Sequence, residues 1–155
     1  MLITTGCSIA TPKHDDIQQE ALAAHNKLRA LHHAPKLAWD DKLENYAIRY
    51  ANKCKFKHSS SPYGENLARG YPTVTRAINK WYAEQAEYSY DNPGFSKSTG
   101  HFTQLIWKSS KKLGCGYVSC DGKNGIYGKY LVCEYSPAGN VVNEGFFDRN
   151  VASAN

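Results

Sequence analysis

Apolar side chains return at Ile17, Ala21, Ala24, Leu28 and Leu31, the spacing of one face of an α-helix that begins near Asp15. Asp15 and Asp16 open this segment, where the positive end of the helix dipole favours acids. His32, His33 and Pro35 close it, because the residue before a proline is pushed out of the helical region. A second helix is predicted from about 40 to about 52, with Trp39, Leu43, Tyr46, Ala47 and Tyr50 as its stripe and an aspartate as its cap. Thr73 caps a third, in which Ala77, Trp81 and Glu84 share a face. Glu84 is thereby carried toward whatever Trp81 packs against.

Residues 53 to 58 alternate, so His58 leaves on the side of Cys54 and Phe56 if the segment is extended. Residues 59 to 64 read as a loop that delivers Glu65. Tyr88 to Phe95 is a polar and aromatic loop with a turn at its centre. His101 to Trp107 reads as a short helix, Lys112 to Cys120 as a strand, and Asp121 to Gly125 as a turn. A second strand follows, with Tyr127, Leu131, Cys133 and Tyr135 on one face. Ser136 to Asn140 breaks it, and Val141 with Val142 starts a short edge segment. Helices followed by antiparallel strands predict an α+β domain whose sheet is covered by helices on both faces. The expected organisation is a flexible tail at 1–12, a single domain at 13–150 and a C-terminal tail at 151–155.

Length changes this picture little: 155 residues suit one domain, and 41% hydrophobic with 21% charged residues is ordinary for a globular chain. No apolar run reaches the length that crosses a bilayer. Met1 to Gly6 is too short and too uncharged for a signal peptide, so secretion implies a leader not present in this chain. The net charge of +5 is spread out, its tightest groups being Lys53, Lys55 and Lys57, and Lys108, Lys111 and Lys112. A nucleic-acid surface needs a denser stripe and a reading element, so nucleic acid is not an expected partner. A weak, salt-sensitive contact with an anionic membrane surface stays open, as does the oligomeric state. The five cysteines make no thiolate zinc pattern. Four of them read as two disulfides, which points to an oxidising, extracytoplasmic home. Cys7 is left over, either as a free thiol or as an intermolecular bridge.

Four ionisable residues, His58, Glu65, Glu84 and His101, are candidates for one cleft. Two neutral imidazoles suit a borderline metal ion, and two carboxylates can orient them or hold water. Other polar residues have simpler uses. His25 and Asn26 read as structural hydrogen-bonders, His32 and His33 as capping or solvent-exposed groups, and Trp81 and Trp107 as core. Asn66 and Gln104 read as supports behind the cleft. Catalysis is not indicated: a hydrolytic zinc site has three protein ligands, no His-Glu-x-x-His occurs, and no serine sits on a nucleophile elbow.

Residues 100 to 110, Gly-His-Phe-Thr-Gln-Leu-Ile-Trp-Lys-Ser-Ser, and 130 to 141, Tyr-Leu-Val-Cys-Glu-Tyr-Ser-Pro-Ala-Gly-Asn-Val, resemble the two signatures of the CAP superfamily. This is the group of cysteine-rich secretory, antigen 5 and pathogenesis-related 1 proteins. His25 to Arg29 and Gly64 to Leu67 resemble two shorter motifs, and Tyr90 to Phe95 leading into Ser98 to His101 is similar to fungal PR-1-like proteins. The resemblance implies an α-β-α sandwich around a central antiparallel sheet, a cleft tetrad of His58, Glu65, Glu84 and His101, and histidines able to hold a divalent ion, zinc or else magnesium or calcium. It implies the bridges Cys54–Cys120 and Cys115–Cys133. It implies a secreted, extracellular protein that binds or exports sterols or fatty acids, as yeast sterol-exporting proteins do, with a ligand loop of Tyr88, Tyr90, Asp91, Asn92, Pro93, Gly94 and Phe95. The alternatives are a defence or virulence effector acting by protein contact and a metal-dependent hydrolase. Two departures stand out. A third bridge found in plant relatives is missing, and Glu134 replaces an uncharged or basic residue on what is expected to be an exposed strand face.

Overall fold

The computed structural model describes residues 14–155, so Cys7 and the segment 1–12 lie outside the described residues. Helix α1 (His14–Leu31) ends where His33 turns left-handed at φ 60°, with the Ala34 amide donating to the Arg29 carbonyl at 3.0 Å. Strand β1 (Ala38–Trp39) precedes α2 (Asp41–Ala51), whose start is fixed by the Asp40 carboxylate accepting from the Leu43 amide at 3.0 Å. Strand β2 (Gly64–Arg69) leads to α3 (Val74–Ala83), capped by the Thr73 hydroxyl oxygen, which accepts from the Arg76 amide. A 3₁₀ turn at Glu84–Glu87 and the 88–99 loop lead to α4 (Gly100–Ile106). Strands β3 (Lys112–Ser119) and β4 (Lys129–Ser136) and the short helix α5 (Phe146–Asn150) complete the chain.

The four strands lie in the order β1-β3-β4-β2. Pairings β3·β4 and β4·β2 are antiparallel, and β1 adds a parallel edge of two residues. Alternation along the strands splits the core. Leu113, Cys115, Leu131, Cys133 and Tyr135 face one side, under α1, α3 and α4 with Trp81, Phe102 and Trp107. Leu67, Tyr130 and Val132 face the other, under Ala47, Tyr50 and Ala51 of α2. The result is the expected α-β-α sandwich. Cys54–Cys120 ties the end of α2 to the end of β3, and Cys115–Cys133 joins directly opposed residues of β3 and β4.

Several local expectations change. Residues 53 to 58 form no strand, because Cys54 takes φ 50° and turns the chain toward its bridge with Cys120. Gly64 to Arg69 is a full strand rather than the end of a loop. Trp39 belongs to β1 and not to the α2 stripe. Tyr127 precedes β4 and is 77% exposed. Val141 and Val142 form no strand. His32 is buried rather than exposed: its Nδ1–H donates to the Ala152 carbonyl and its Nε2 accepts from the Tyr82 hydroxyl, both at 2.8 Å. Val151 packs into the main core.

Candidate histidine–carboxylate cleft

Strand β2 is a free edge of the sheet, and the four tetrad residues reach around it in two pairs. Glu65 sits on β2 on the α2 side. It accepts from His58 Nδ1 at 2.9 Å, from the Ser59 amide at 2.8 Å and from the Ser59 hydroxyl at 2.5 Å, so the 58–63 loop is stitched to the strand. Glu84 follows the last residue of α3. It accepts from His101 Nδ1 at 2.7 Å and from the amides of His101 and Phe102 at 2.9 and 3.0 Å. One carboxylate thus both aims an imidazole and satisfies the first turn of α4, to which Thr99 contributes no side-chain cap.

In each pair Nδ1 carries the proton, which leaves Nε2 as the unprotonated atom of the neutral ring. His58 and His101 line the same cavity of about 340 Å³, together with Glu65, Asn66, Phe95 and Lys97. The His58 titration is raised, chiefly by its bond to Glu65, against the opposing pull of burial. Among the described residues no group of three or more His, Cys, Asp or Glu can hold a metal.

The supports behind the cleft form a continuous chain. Trp81 stacks on His101, with ring centroids 6.0 Å apart and planes 8° from parallel, and its Nε1–H donates to the Leu67 carbonyl. Asn66 donates to the His101 carbonyl at 3.0 Å and to the Tyr135 hydroxyl at 3.3 Å. That hydroxyl donates to His25 Nε2, while His25 Nδ1–H donates to the Ala21 carbonyl. Burial lowers the His25 titration to about 4, which fits a neutral bridging ring. Gln104 accepts from the Gly139 amide and donates to Ser110. A Cβ on Gly64 would lie 2.0 Å from Gln104 Oε1, so a larger residue there would displace the Gln104 side chain.

Of the predicted ligand loop, Phe95 alone reaches this cavity. Tyr88 is an anchor, tilted against Phe102 and edge-on to Tyr90. Asp91 and Asn92 are exposed, and Pro93, Gly94 and Phe95 line a neighbouring hollow of about 270 Å³ with Val142 and Phe147. Phe95 is 52% exposed and lies over Gly100.

Two residues of the second signature that were given no role in the cleft complete the site. Asn140, left-handed at φ 56°, donates to the Gly100 carbonyl and accepts from the Thr103 hydroxyl. Its place at the end of the second signature, after Pro-Ala-Gly, was the available signal. Glu134 is not on an exposed strand face: it has no exposed surface and stands directly opposite Glu65 in the β2·β4 register. Ser61 donates to its Oε2 at 3.3 Å, and no donor from another residue reaches Oε1. Burial, and then the neighbouring Glu65 charge, push the Glu134 carboxyl far up. A carboxyl that keeps its proton can donate toward the facing Glu65. Burial alone would raise Glu65, but the bonds from His58, Glu134 and Ser59 hold it well below the usual carboxylate range.

Comparison with known proteins follows the same lines. Protein PRY2 of Saccharomyces cerevisiae is 46% identical over 134 residues, covering 83% of this chain and 40% of that protein. Pathogenesis-related protein 1 of Arabidopsis thaliana is 39% identical over 145 residues, covering 90% and 88%. The chain spans about two fifths to one half of the first fungal relatives it matches. The solved structure named NaASP2 with Zn2+ has a TM-score of 0.73 at 25% identity, covering 93% of this chain and 92% of that one. Residues 22–135 match the cysteine-rich secretory protein family, CAP, and the chain belongs to it.

Proposed function

We propose that this chain is a secreted protein that binds small hydrophobic ligands such as sterols and fatty acids, and binds or exports them at the rim where the 88–95 loop meets the histidine cleft. The observation that carries the reading is the placement of Phe95. This half-exposed ring borders both the His58–His101 cavity and the hollow beside Val142, which is itself 75% exposed. An apolar lip over a cavity with a few convergent polar groups suits an amphiphile, whose body needs cover and whose hydroxyl needs a partner. Two disulfides support an extracellular setting, as does the relative named secreted protein RBT4. No helix among the described residues is long and apolar enough to cross a membrane.

His58 and His101 would hold a divalent cation, zinc or else magnesium or calcium, through Nε2. The name of NaASP2 with Zn2+ supports that assignment. Such an ion supplies positive charge to a ligand oxygen, and the two acids keep both rings oriented with or without it. Members of this family are generally non-catalytic, and two imidazoles fall short of the three protein ligands of a hydrolytic zinc site.

Titration with the fluorescent sterol dehydroergosterol tests the reading. Saturable binding is expected, and Tyr90→Ala with Phe95→Ala should weaken it about tenfold. No saturable binding, or affinity unchanged in the double variant, overturns the proposal and favours an effector that acts by protein contact.

A further inference from the structure

We propose that the end of the sheet where α2 finishes and the β3–β4 hairpin turns is a docking surface for an anionic lipid bilayer. Its cations are Lys53, Lys55, Lys57, Lys123 and Lys129, and its interfacial aromatics are Phe56 and Tyr127. This goes beyond the reading of the cleft and does not depend on it.

The fold builds the surface from two distant stretches of sequence. The Cys54–Cys120 bridge joins them, and the Asn124 side chain donates to the carbonyls of Lys53 at 3.2 Å and Cys54 at 2.9 Å. The Tyr130 hydroxyl donates to the Lys55 carbonyl at 2.7 Å, and the Phe56 ring stands 6.0 Å from the Tyr130 ring. Lys53, Lys55 and Lys57, a loose group in the sequence, are thereby joined by Lys123 in the hairpin and Lys129 at the start of β4. All five are exposed, and among the described residues none forms an ion pair. Asp121 is the one acid in stretches 53–57 and 119–130, so five lysines against one aspartate give this end net +4 of the chain's +5. Arg69 adds nothing to that excess, since its guanidinium lies over Phe56 and shares the neighbouring groove with Glu84 and Glu87. The other loose group, Lys108, Lys111 and Lys112, lies at the opposite end of β3, where Lys112 meets Asp40 at 3.5 Å.

Charge alone would suit any polyanion, and the aromatics decide between them. Tyr127 is 77% exposed beside the hairpin, where a Cβ on Gly122 would stand 3.1 Å from its ring, and Phe56 is 48% exposed. Exposed rings among lysines match the headgroup layer of a bilayer, in which the ring enters the apolar boundary while ammonium groups meet phosphate or carboxylate. A soluble polyanion offers the charge without the apolar layer. The chain passes directly from Lys57 to His58, so a bilayer held here borders the cleft.

The test is co-sedimentation with vesicles of phosphatidylcholine, alone or with about 30% phosphatidylserine. Binding to the anionic vesicles should be at least about tenfold stronger than to the neutral ones, and should fall steeply between about 0.05 and about 0.5 M salt. K55E with K123E should weaken it at least about tenfold, and Tyr127→Ala about threefold. K108E with K111E changes the net charge equally and should leave binding within about twofold of the parent. Should the charge reversals fail to fold, K55Q with K123Q against K108Q with K111Q reads the same difference. Equal losses in the two pairs, or equal binding to the two kinds of vesicle, overturn the inference. So does absence of binding to the anionic vesicles, and capture by dextran sulfate would then identify a soluble polyanion as the partner instead.

Discussion

A carboxyl group buried opposite a second acid, with no ion-pair partner among the described residues, is costly in its charged form, and Glu134 avoids that cost by keeping its proton. The sign of the consequence is fixed. The folded-state titration of Glu134 lies far above the ordinary 4.5, so above 4.5 the folded protein holds a proton that the unfolded chain has released. Stability contributed by this group is complete below 4.5 and declines as pH rises toward the folded value. Glu65 works in the other direction: its titration is held down, and its contribution is lost as pH falls below the ordinary range. Glu134→Gln keeps the shape and supplies a permanent N–H donor to Glu65. We expect its melting temperature to exceed that of the parent at pH 9 and to approach it at pH 5. Thermal unfolding at the two values measures this, and an unchanged pH slope would show that Glu134 is ionised in the fold.

At the scale of elements, helix α2 lies directly on β3 because two glycines leave room for it. A Cβ on Gly116 would stand 2.7 Å from the Ile48 Cα and nitrogen, and one on Gly114 2.2 Å from the Glu44 nitrogen. Backbone on both sides leaves nothing that can yield. Gly116→Ala should therefore lower unfolding stability by about 1–3 kcal/mol, read from denaturant midpoints. Sterol affinity of the folded fraction should hold, since the Phe95 rim lies at the other edge of the sheet. Helices α1, α2 and α3 were legible from apolar periodicity together with a capping or stopping residue, whereas the five-residue α5 was not foreseen. Strand β2 was not legible. Its side chains at Glu65 and Asn66 serve the cleft, which breaks the apolar rhythm that marks a strand. Residues 53 to 58 erred the other way, since their alternation is overridden by the turn at Cys54. Of the four tetrad residues, Glu65 and His101 lie inside quoted family motifs, whereas His58 and Glu84 lie outside them. Glu134 and His32 were misjudged because the groups that bury them, Glu65 and Ser61 for one and Tyr82 and Ala152 for the other, lie far away in sequence.

Across the whole molecule, the cleft is assembled from two layers that meet only at the free edge of the sheet. One half, His101 with Glu84, is built into the α3–α4 layer and backed by Trp81. The other half, His58 with Glu65, depends on a loop whose backbone is held from outside it. Tyr130 donates to the Lys55 carbonyl, Tyr50 to the Lys57 carbonyl, Asn124 to the Cys54 carbonyl, and the Cys54–Cys120 bridge fixes the loop's origin. That bridge closes 66 residues, so in the chain-entropy account its loss costs about 4 kcal/mol. The loss should also be uneven. Cys54→Ser with Cys120→Ser should speed hydrogen exchange at the amides of residues 55 to 63, whereas the α4 amides held by Glu84 should keep their protection until global opening. Exchange measured by mass spectrometry under conditions where the variant stays folded separates the cases. Uniform acceleration in both halves would mean that the layers are coupled through the sheet rather than merely adjacent at its edge. Confinement to the His58 side would mean that one face of the cleft can open while the other keeps its geometry, which is what admission of a ligand between them requires.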